Sequence, residues 1–400
     1  MVYFCATGET PDLQNEEEEQ MSFSKKDTSA VKGIAILLMF AYHCFSTIDR
    51  MQGVDVSFYP FSKEFGMYLA GQMNVCVSMF LFLSVYGMTV SAKKAFPDYR
   101  MTSRQCTEFV CVRYIKLMSS FWIPFAFCEV ASLILSPSSF SAYGSSVPRV
   151  AANMAVEALG LSEFFGTAKH IGTWWYISLA VLLVVLLPLL LAVYRRFGGL
   201  VLIGLFVMLP PMLLDTGKNM SRYLLVVPLA ICCADQGILE RYKNWSWCKK
   251  PVLDGLLKVT WTLLLAAAVA YVRKSSWGVK YMEYPLVGLL GFLLILLAYS
   301  ILDHMKPVQR VLIYLGNHSG DMFFIHTFFR GIWFEGWLYS FKHALLIELV
   351  LVAATLLCSH FLDLVRRVIR YPEIIQWASD LALRTVTGTA EENRKPMTKS

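Results

Sequence analysis

The chain reads as an all-α, polytopic integral membrane protein of about ten transmembrane helices, with both termini in the cytoplasm. Two compositional facts point there. Of its 400 residues 56% are hydrophobic and only 16% are charged, and the mean hydropathy of +0.52 lies outside the range of soluble domains. The third observation is a series of apolar stretches long enough, at 1.5 Å per residue, to cross a hydrocarbon core of ~30 Å. A soluble enzyme, a disordered chain and a single-anchor protein are thereby excluded. The formal charge of +7 is modest, and its Lys and Arg lie in short loops between apolar runs, where they report topology and not affinity for nucleic acid.

Residues 1–27 are polar, carry the acidic run Glu16 to Glu19, and lack the basic start and apolar core of a signal peptide. A disordered cytoplasmic tail is expected there, followed by a transmembrane domain over 28–370 and a second cytoplasmic tail over 371–400. The expected spans are roughly 31–49, 65–90, 110–135, 173–194, 198–215, 220–239, 252–272, 284–303, 311–333 and 343–365. The clearest are Phe65 to Ala92, Ile171 to Tyr194, Phe197 to Leu214 and Tyr284 to Leu302, none of which contains a formal charge. Glu157 and Glu163 interrupt the segment 150–165, which is expected to lie on or dip into the outer face.

The basic residues set the orientation. Ten spans place Lys25, Lys26, Lys93, Lys94, Arg100, Arg104, Arg195, Arg196, Arg241, Lys243, Lys249, Lys250, Lys306, Arg310, Arg366, Arg367 and Arg370 inside, seventeen in all. The outer connections hold ten: Arg50, Lys63, Arg149, Lys169, Lys218, Arg222, Arg273, Lys274, Lys280 and Lys342. The excess on one side follows the positive-inside rule. An eleventh span at 150–165 would put Arg195 and Arg196 outside and break the alternation. The ten cysteines show no metal-ligand spacing and mostly fall in apolar runs, so neither disulfides nor a metal is expected.

Ionisable groups inside spans are costly and mark candidate functional sites. The first span carries Lys32 near its inner end and His43 toward its outer half. Eleven residues at 100° each return to within ~20° of one direction, ~16 Å apart along the axis, so both can line one cavity. The third span opens with Arg113 and Lys116, neighbours on one face, and carries Glu129 farther out. The ninth is the most polar, with Ser319, His326 and Arg330 within ~40° of a common face. His43 and His326 are expected at similar depth. Plainer readings stand beside these: a membrane histidine is often an interhelical hydrogen-bonding group, and Arg113 and Lys116 can snorkel to lipid headgroups. Ser84, Ser319 and the glycines can serve helix packing. Trp174, Trp175 and Tyr176 read by default as an interfacial aromatic belt, and His170, beside a loop, as non-functional.

Taken in order, these segments resemble the acyltransferase family 3 membrane proteins, which in bacteria mostly move an acetyl or other acyl group from coenzyme A to surface glycans. The resemblance runs from about 28 to 366. KGIAILLMFAYH is similar to the family's first-helix pattern of Arg-Gly, an apolar run and a histidine eleven positions on, with Lys32 in place of the Arg and His43 as the histidine. MFLFLSVYGM is similar to the Phe-Phe-x-x-Ser-Gly-Tyr element, with Ser84 matched and Val85 replacing the glycine. RYIKL resembles Arg-x-x-Arg, with Arg113 kept and Lys116 in the second position. HIGTWWYISLAVLLVVLLPLL resembles the Trp-bearing helix that ends in Pro, and LGNHSGDMFFIH the late Gly-x-x-Ser helix with its histidine, here Gly316, Ser319 and His326. The two Arg-to-Lys changes replace a bidentate fork with a point charge.

The resemblance implies a membrane O-acyltransferase, in a bacterial cytoplasmic membrane, that uses acyl-CoA, with acetyl-CoA the expected donor, and a hydroxyl of a cell-surface glycan or similar acceptor. Thioester acyl transfer needs a site for the donor's phosphates, a base for the acceptor hydroxyl and donors for the oxyanion. Lys32, Arg113 and Lys116 form a basic inner rim suited to the phosphates, with Ser84 beside the donor. His43 is the expected base, with a transient acyl-histidine as a variant, and His326 and Ser319 are expected to orient the acceptor or the oxyanion. No Gly-x-Ser-x-Gly elbow is present to activate a serine. The alternative is an exporter of a lipid-linked sugar or acyl compound, with His43, Glu129 and His326 as a proton relay.

Overall fold

The computed structural model describes residues 23–387 apart from Gly217 and Glu335. The stretches 1–22 and 388–400, which hold most of the first expected tail and the last 13 residues of the second, lie outside the described residues. Among the described residues there is no strand, only an isolated bridge between Ser57 and His343, and the rest is helix and connecting loop. The helices are α1 Lys25–Phe45, α2 Lys63–Gln72, α3 Cys76–Ala95, α4 Ser103–Leu135, α5 Val147–Ala158, α6 Trp175–Phe197, α7 Gly199–Leu213, α8 Val226–Gln236, α9 Ile238–Asn244, α10 Pro251–Lys274, α11 Glu283–Ile301, α12 Lys306–Gly331, α13 Ala344–Val368 and α14 Tyr371–Thr387, with single turns between some of them.

Local chemistry sets where the helices start. Ser24 caps α1 and Thr102 caps α4, each in a reciprocal box with the residue three places on, Asp27 and Gln105, which satisfies two backbone donors that a helix start leaves open. At 33 residues α4 is ~50 Å long, so its polar first turns extend beyond a ~30 Å apolar core. Gly237 adopts φ of 60° and ends α8, and the chain bends by 67° into α9.

Among the described residues seven helices are long and apolar enough to cross a membrane: α1, α2 with α3, α4, α6 with the turn before it, α10, α11 with the turn after it, and α13. The other three expected spans are helical, and each departs from that standard for its own reason. The segment Gly199–Leu213 is short and ends in Pro210 and Pro211, the segment over 219–244 is the bent pair, and α12 carries Asn317, His318, Asp321, His326 and Arg330 among its 26 residues. The segment 150–165 forms α5 and one further turn; twelve residues reach only ~18 Å. Residues 371–387 form α14, which docks on α4 with the Tyr371 hydroxyl donating to the Ser119 carbonyl at 2.9 Å.

The centre of the bundle is the crossing of α1 and α12. A Cβ on Gly33 would stand 2.1 Å from the Leu312 carbonyl oxygen, and one on Gly316 would stand 1.7 Å from that of Ser29. The two backbones therefore touch with no side chain between them, a geometry that only small residues allow and that membrane helices use to gain close packing. Ser29 donates to Asn317 across the same contact at 2.9 Å. One core surrounds α1, α3, α6, α8 and α11, and a second, largely aromatic, lies between α4, α6 and α12 around Phe121, Phe125, Trp174 and Phe328. Most of α10 and α13 stays uncovered, as expected of a lipid-facing rim.

Candidate functional site

A cavity of about 620 Å³ opens beside the α1–α12 crossing, walled by α1, α3, α4, α6 and α12. Lys32, His43, Ser84 and Ser319 line it together, so four of the sequence-derived site residues share one space. The eleven-residue spacing on α1 does what helical periodicity requires and puts Lys32 and His43 on the cavity face. Ser319 is buried and donates to the Gly316 carbonyl at 2.7 Å, while Ser84 donates to the Phe80 carbonyl at 2.8 Å. Both hydroxyl protons are taken by carbonyls of their own helices, which leaves the oxygens as acceptors, and neither has a histidine partner.

His326 is fully buried behind this wall and is not among the lining residues. Its ring centroid lies 5.0 Å from that of His43 and 5.4 Å from that of Phe40. The equal depth expected of the two histidines is therefore a direct ring contact. Their hydrogen bonds fix the neutral tautomers. Arg50 Nη1 donates to Nδ1 of His43 at 3.0 Å, and a guanidinium only donates, so neutral His43 carries its proton on Nε2. Nδ1 of His326 faces the Phe323 carbonyl at 2.6 Å, and a carbonyl only accepts, so its proton is on Nδ1 and Nε2 is open to the Thr327 hydroxyl at 3.2 Å. Thr327 in turn bonds Thr173 at 3.1 Å, and both threonines line the cavity.

Arg50 is a residue the sequence reading left among the outer-loop charges. It also donates to the Tyr42 carbonyl at 3.0 Å and packs its guanidinium over the Tyr42 ring at 4.6 Å. With Arg330, which also lines the cavity, it places two guanidinium groups at the His43 end. Neither is ion-paired to a carboxylate among the described residues. Arg50 follows α1 by one short loop, seven residues after His43, and that loop geometry is invisible to helical periodicity.

Arg113 and Lys116 do not line the cavity. Arg113 is half-buried with its guanidinium 5.3 Å from the Phe109 ring, and Lys116 is exposed. Lys116 is within electrostatic reach of Lys32, Arg113 and Lys25, and the four form a basic cluster without a paired carboxylate among the described residues. They sit on the first half of α1 and of α4, at the opposite end of the cavity from Arg50 and Arg330.

The aromatic-belt reading of α6 does not hold for its first residues. Trp174 is buried in the aromatic core and donates Nε1 to the Phe324 carbonyl at 3.2 Å, Trp175 stacks on Tyr223 at 6.0 Å, and Trp175 and Tyr176 face the cavity. An aromatic run at a helix end looks the same in sequence whether it meets lipid or a neighbouring helix. Glu129 is also outside the cavity, bonded to His170 and Tyr143 beyond the α4 end, so the proposed relay through His43, Glu129 and His326 is not one contiguous line.

A metal has one possible set of holders among the described residues, His318, His360 and Asp363 between α12 and α13. All three are already engaged: His318 with Ser359 at 2.9 Å, His360 with Tyr314 at 2.6 Å and Asp363 with Arg366 at 2.9 Å. The nine described cysteines are free.

A protein family described as an acyltransferase domain matches residues 29–363, the stretch that begins on the capped first turn of α1 and ends on α13. No curated protein and no solved structure matches the chain.

Proposed function

The chain belongs to the acyltransferase family 3 membrane proteins, and from that premise we propose that it transfers an acyl group, with acetyl the expected one, from acyl-CoA to a hydroxyl of a cell-surface glycan or similar acceptor. The observation that carries the proposal is the cavity with Lys32 toward one end, where Lys116, Arg113 and Lys25 add positive charge beside it to make a lysine-rich mouth, and His43 toward the other. The diphosphate of the donor is anionic and belongs with Lys32, Lys116 and Arg113; its flexible pantetheine arm is the part that can reach along the cavity to His43.

The transfer forms one C–O bond and breaks one C–S bond. The acceptor oxygen attacks the thioester carbonyl, its proton passes to an imidazole, and that proton is returned to the departing thiolate. The opposite tautomers of the two histidines suggest a division of that work. Nε2–H of His43 is a donor ready for the oxyanion or the leaving sulfur, and its basic Nδ1 is released only when the Arg50 guanidinium turns to the anionic carbonyl oxygen. Arg50 and Arg330 add positive charge where the oxyanion grows. Ser319 and Ser84 are best cast as wall residues whose hydroxyls orient the acceptor and the donor.

With both ends in the cytoplasm, the lysine-rich mouth faces the acyl-CoA pool and the His43 end faces outward, in a bacterial cytoplasmic membrane. An exporter of a lipid-linked sugar or acyl compound is the second reading, and the absence of Glu129 from the cavity lining weighs against its relay. The deciding experiment has two parts. Purified protein should release coenzyme A from acetyl-CoA over many turnovers only when an acceptor is present, and mass spectrometry of surface glycans should lose an acyl mark when the protein is removed. Transport driven by a proton gradient without coenzyme A release would decide for the exporter.

A further inference from the structure

Beyond the membrane cavity, the loop between α4 and α6 holds a second constellation. His170 stands just before the turn that starts α6. Its Nδ1 lies 2.8 Å from Glu129 Oε1 and its Nε2 lies 2.9 Å from Ser139 Oγ. Because a carboxylate only accepts, Nδ1 holds the proton, and Nε2 is left as the acceptor for the Ser139 hydroxyl. Serine, imidazole and carboxylate are thus in line, with the two hydrogen bonds by which a histidine activates a serine.

Burial follows the same order. Glu129 and His170 are 6% and 4% exposed, while Ser139 is half-buried on the one-turn 3-10 helix Pro137–Ala142. The nucleophile is thus at the mouth and the base and acid behind it. His170 is the only basic side chain bonded to Glu129 among the described residues, so the buried carboxylate fixes the orientation of the ring. The environment is built to hold the ring: Phe140, Tyr143 and Phe328 surround it at 5.0 to 5.3 Å, Tyr143 donates to Glu129 at 3.0 Å, and the His170 backbone N–H donates to Glu157 at 3.0 Å. Two buried carboxylate oxygens, Glu129 Oε2 and Glu157 Oε1, have no partner. The serine hydroxyl has one competing acceptor, the Ser136 carbonyl at 2.7 Å. The constellation also abuts the cavity: Phe328 touches His170, Thr327 beside it lines the cavity, and Thr173 lies three residues beyond His170.

We propose that Ser139, His170 and Glu129 form a second catalytic unit, near the outer end of α4, and that the transfer runs through it in two steps in place of the direct attack: it takes the acyl group from the thioester positioned by His43 as an acyl-serine and hands it to the acceptor hydroxyl. This deepens the acyltransferase reading and rests on it for the identity of the thioester. Ser139 Oγ attacks the thioester carbonyl carbon and gives its proton to Nε2 of His170; the C–S bond breaks and the thiolate takes that proton. The acceptor oxygen then attacks the acyl-serine, its proton passes to Nε2, and the departing Ser139 oxygen recovers it. Glu129 is a positioning residue that fixes the tautomer and steadies the imidazolium.

A fluorophosphonate probe, which bonds covalently to activated serines, tests this on the purified full-length protein in detergent, with peptide mapping. Ser139 should be the labelled residue. Labelling should disappear in Ser139→Ala and fall ~10²- to 10⁴-fold in His170→Asn and Glu129→Gln, with a changed pH profile in Glu129→Gln that a mere loss of packing would not give. Since Ser139→Ala can weaken the loop, Ser139→Cys supplies a second reading: its thiol should react with iodoacetamide faster than the native cysteines, and should lose that advantage when His170→Asn is added. Failure to label Ser139 in protein that still releases coenzyme A, or a Ser139→Cys thiol no faster than the others, overturns the triad and leaves the acyltransferase reading standing. Labelling at Ser139 without coenzyme A release keeps the triad and removes that reading.

Discussion

His43 and His326 lie with ring centroids 5.0 Å apart and are held in opposite tautomers, the first by a guanidinium at its Nδ1 and the second by a backbone carbonyl. Two imidazoles this close, each with its tautomer set by a separate partner, keep one acid–base group facing the cavity in a fixed orientation, with the other packed behind it. That arrangement gives the first prediction. His43→Ala should cut coenzyme A release ~10²- to 10⁴-fold, the usual worth of a general acid–base group, with thermal unfolding close to the parent's. His326→Ala should cost less, because the ring sits behind the cavity wall. A larger loss for His326→Ala would move the base to that ring.

Arg50 tests how His43 is oriented. Removing the guanidinium frees Nδ1 and removes a positive charge from the place where the oxyanion forms, so Arg50→Gln should lower turnover ~10- to 100-fold while the KM for the acyl donor changes little. An unchanged turnover would make Arg50 a loop anchor for Tyr42 only.

The lysine-rich mouth should govern the donor. Lys32→Ala and Arg113→Ala should raise the KM for acyl-CoA several-fold, and raised salt should do the same to the parent protein, since exposed charges are screened over ~8 Å at physiological ionic strength. If Arg113→Ala leaves the apparent donor affinity as it was in a folded protein, the group anchors lipid headgroups.

How much of this was legible in the sequence varies with the distance over which the information travels. Apolar length suffices to place the helices, because a bilayer imposes its thickness residue by residue. The cavity face of α1 follows from periodicity, since Lys32 and His43 share one helix. Arg50 is missed because it reaches His43 by way of a loop, and the Ser139–His170–Glu129 line because its members come from a helix end, a one-turn helix and a pre-helical loop, up to 41 residues apart. His170 looks idle until its partners fold onto it, and Trp174 looks interfacial until α4 and α12 cover it.

Glu157 carries a pH signature. Burial, reinforced by the neighbouring Glu129 charge, pushes its carboxyl up to about 8, against the opposing pull of the Tyr143 hydroxyl and the His170 N–H. The folded state therefore holds this proton over a range in which the unfolded chain, near 4.5, has released it. Stability attributable to this group should fall as pH rises from about 4.5 to about 8 and level off above that. Thermal unfolding across pH 5 to 9 should show a decline of a few degrees that Glu157→Gln flattens; an identical decline in the variant would assign it elsewhere.

The glycine contact predicts its own variants. Gly316→Ala and Gly33→Ala would each push a methyl carbon into a carbonyl oxygen of the facing helix, and the backbones would have to separate. Folded yield should drop for both, and more for Gly316→Ala, whose built Cβ stands 1.7 Å from the Ser29 oxygen. An effect smaller than about 1 kcal/mol on unfolding would show that the crossing can yield.

The α1–α12 crossing has a mechanical meaning as well. A joint made of touching backbone has no side chains to repack, so these two helices can move only as one piece, a stator that carries His43, His326 and Ser319 in fixed register. The opposite wall of the cavity, from α3, α4 and α6, meets them through side chains such as Ser84, Ser120 and Tyr176, which change rotamer at small cost. Substrate entry and product release then fall to the rocking of that wall against a rigid spine, and a long donor and a bulky acceptor can be admitted in turn without the acid–base pair ever losing its alignment.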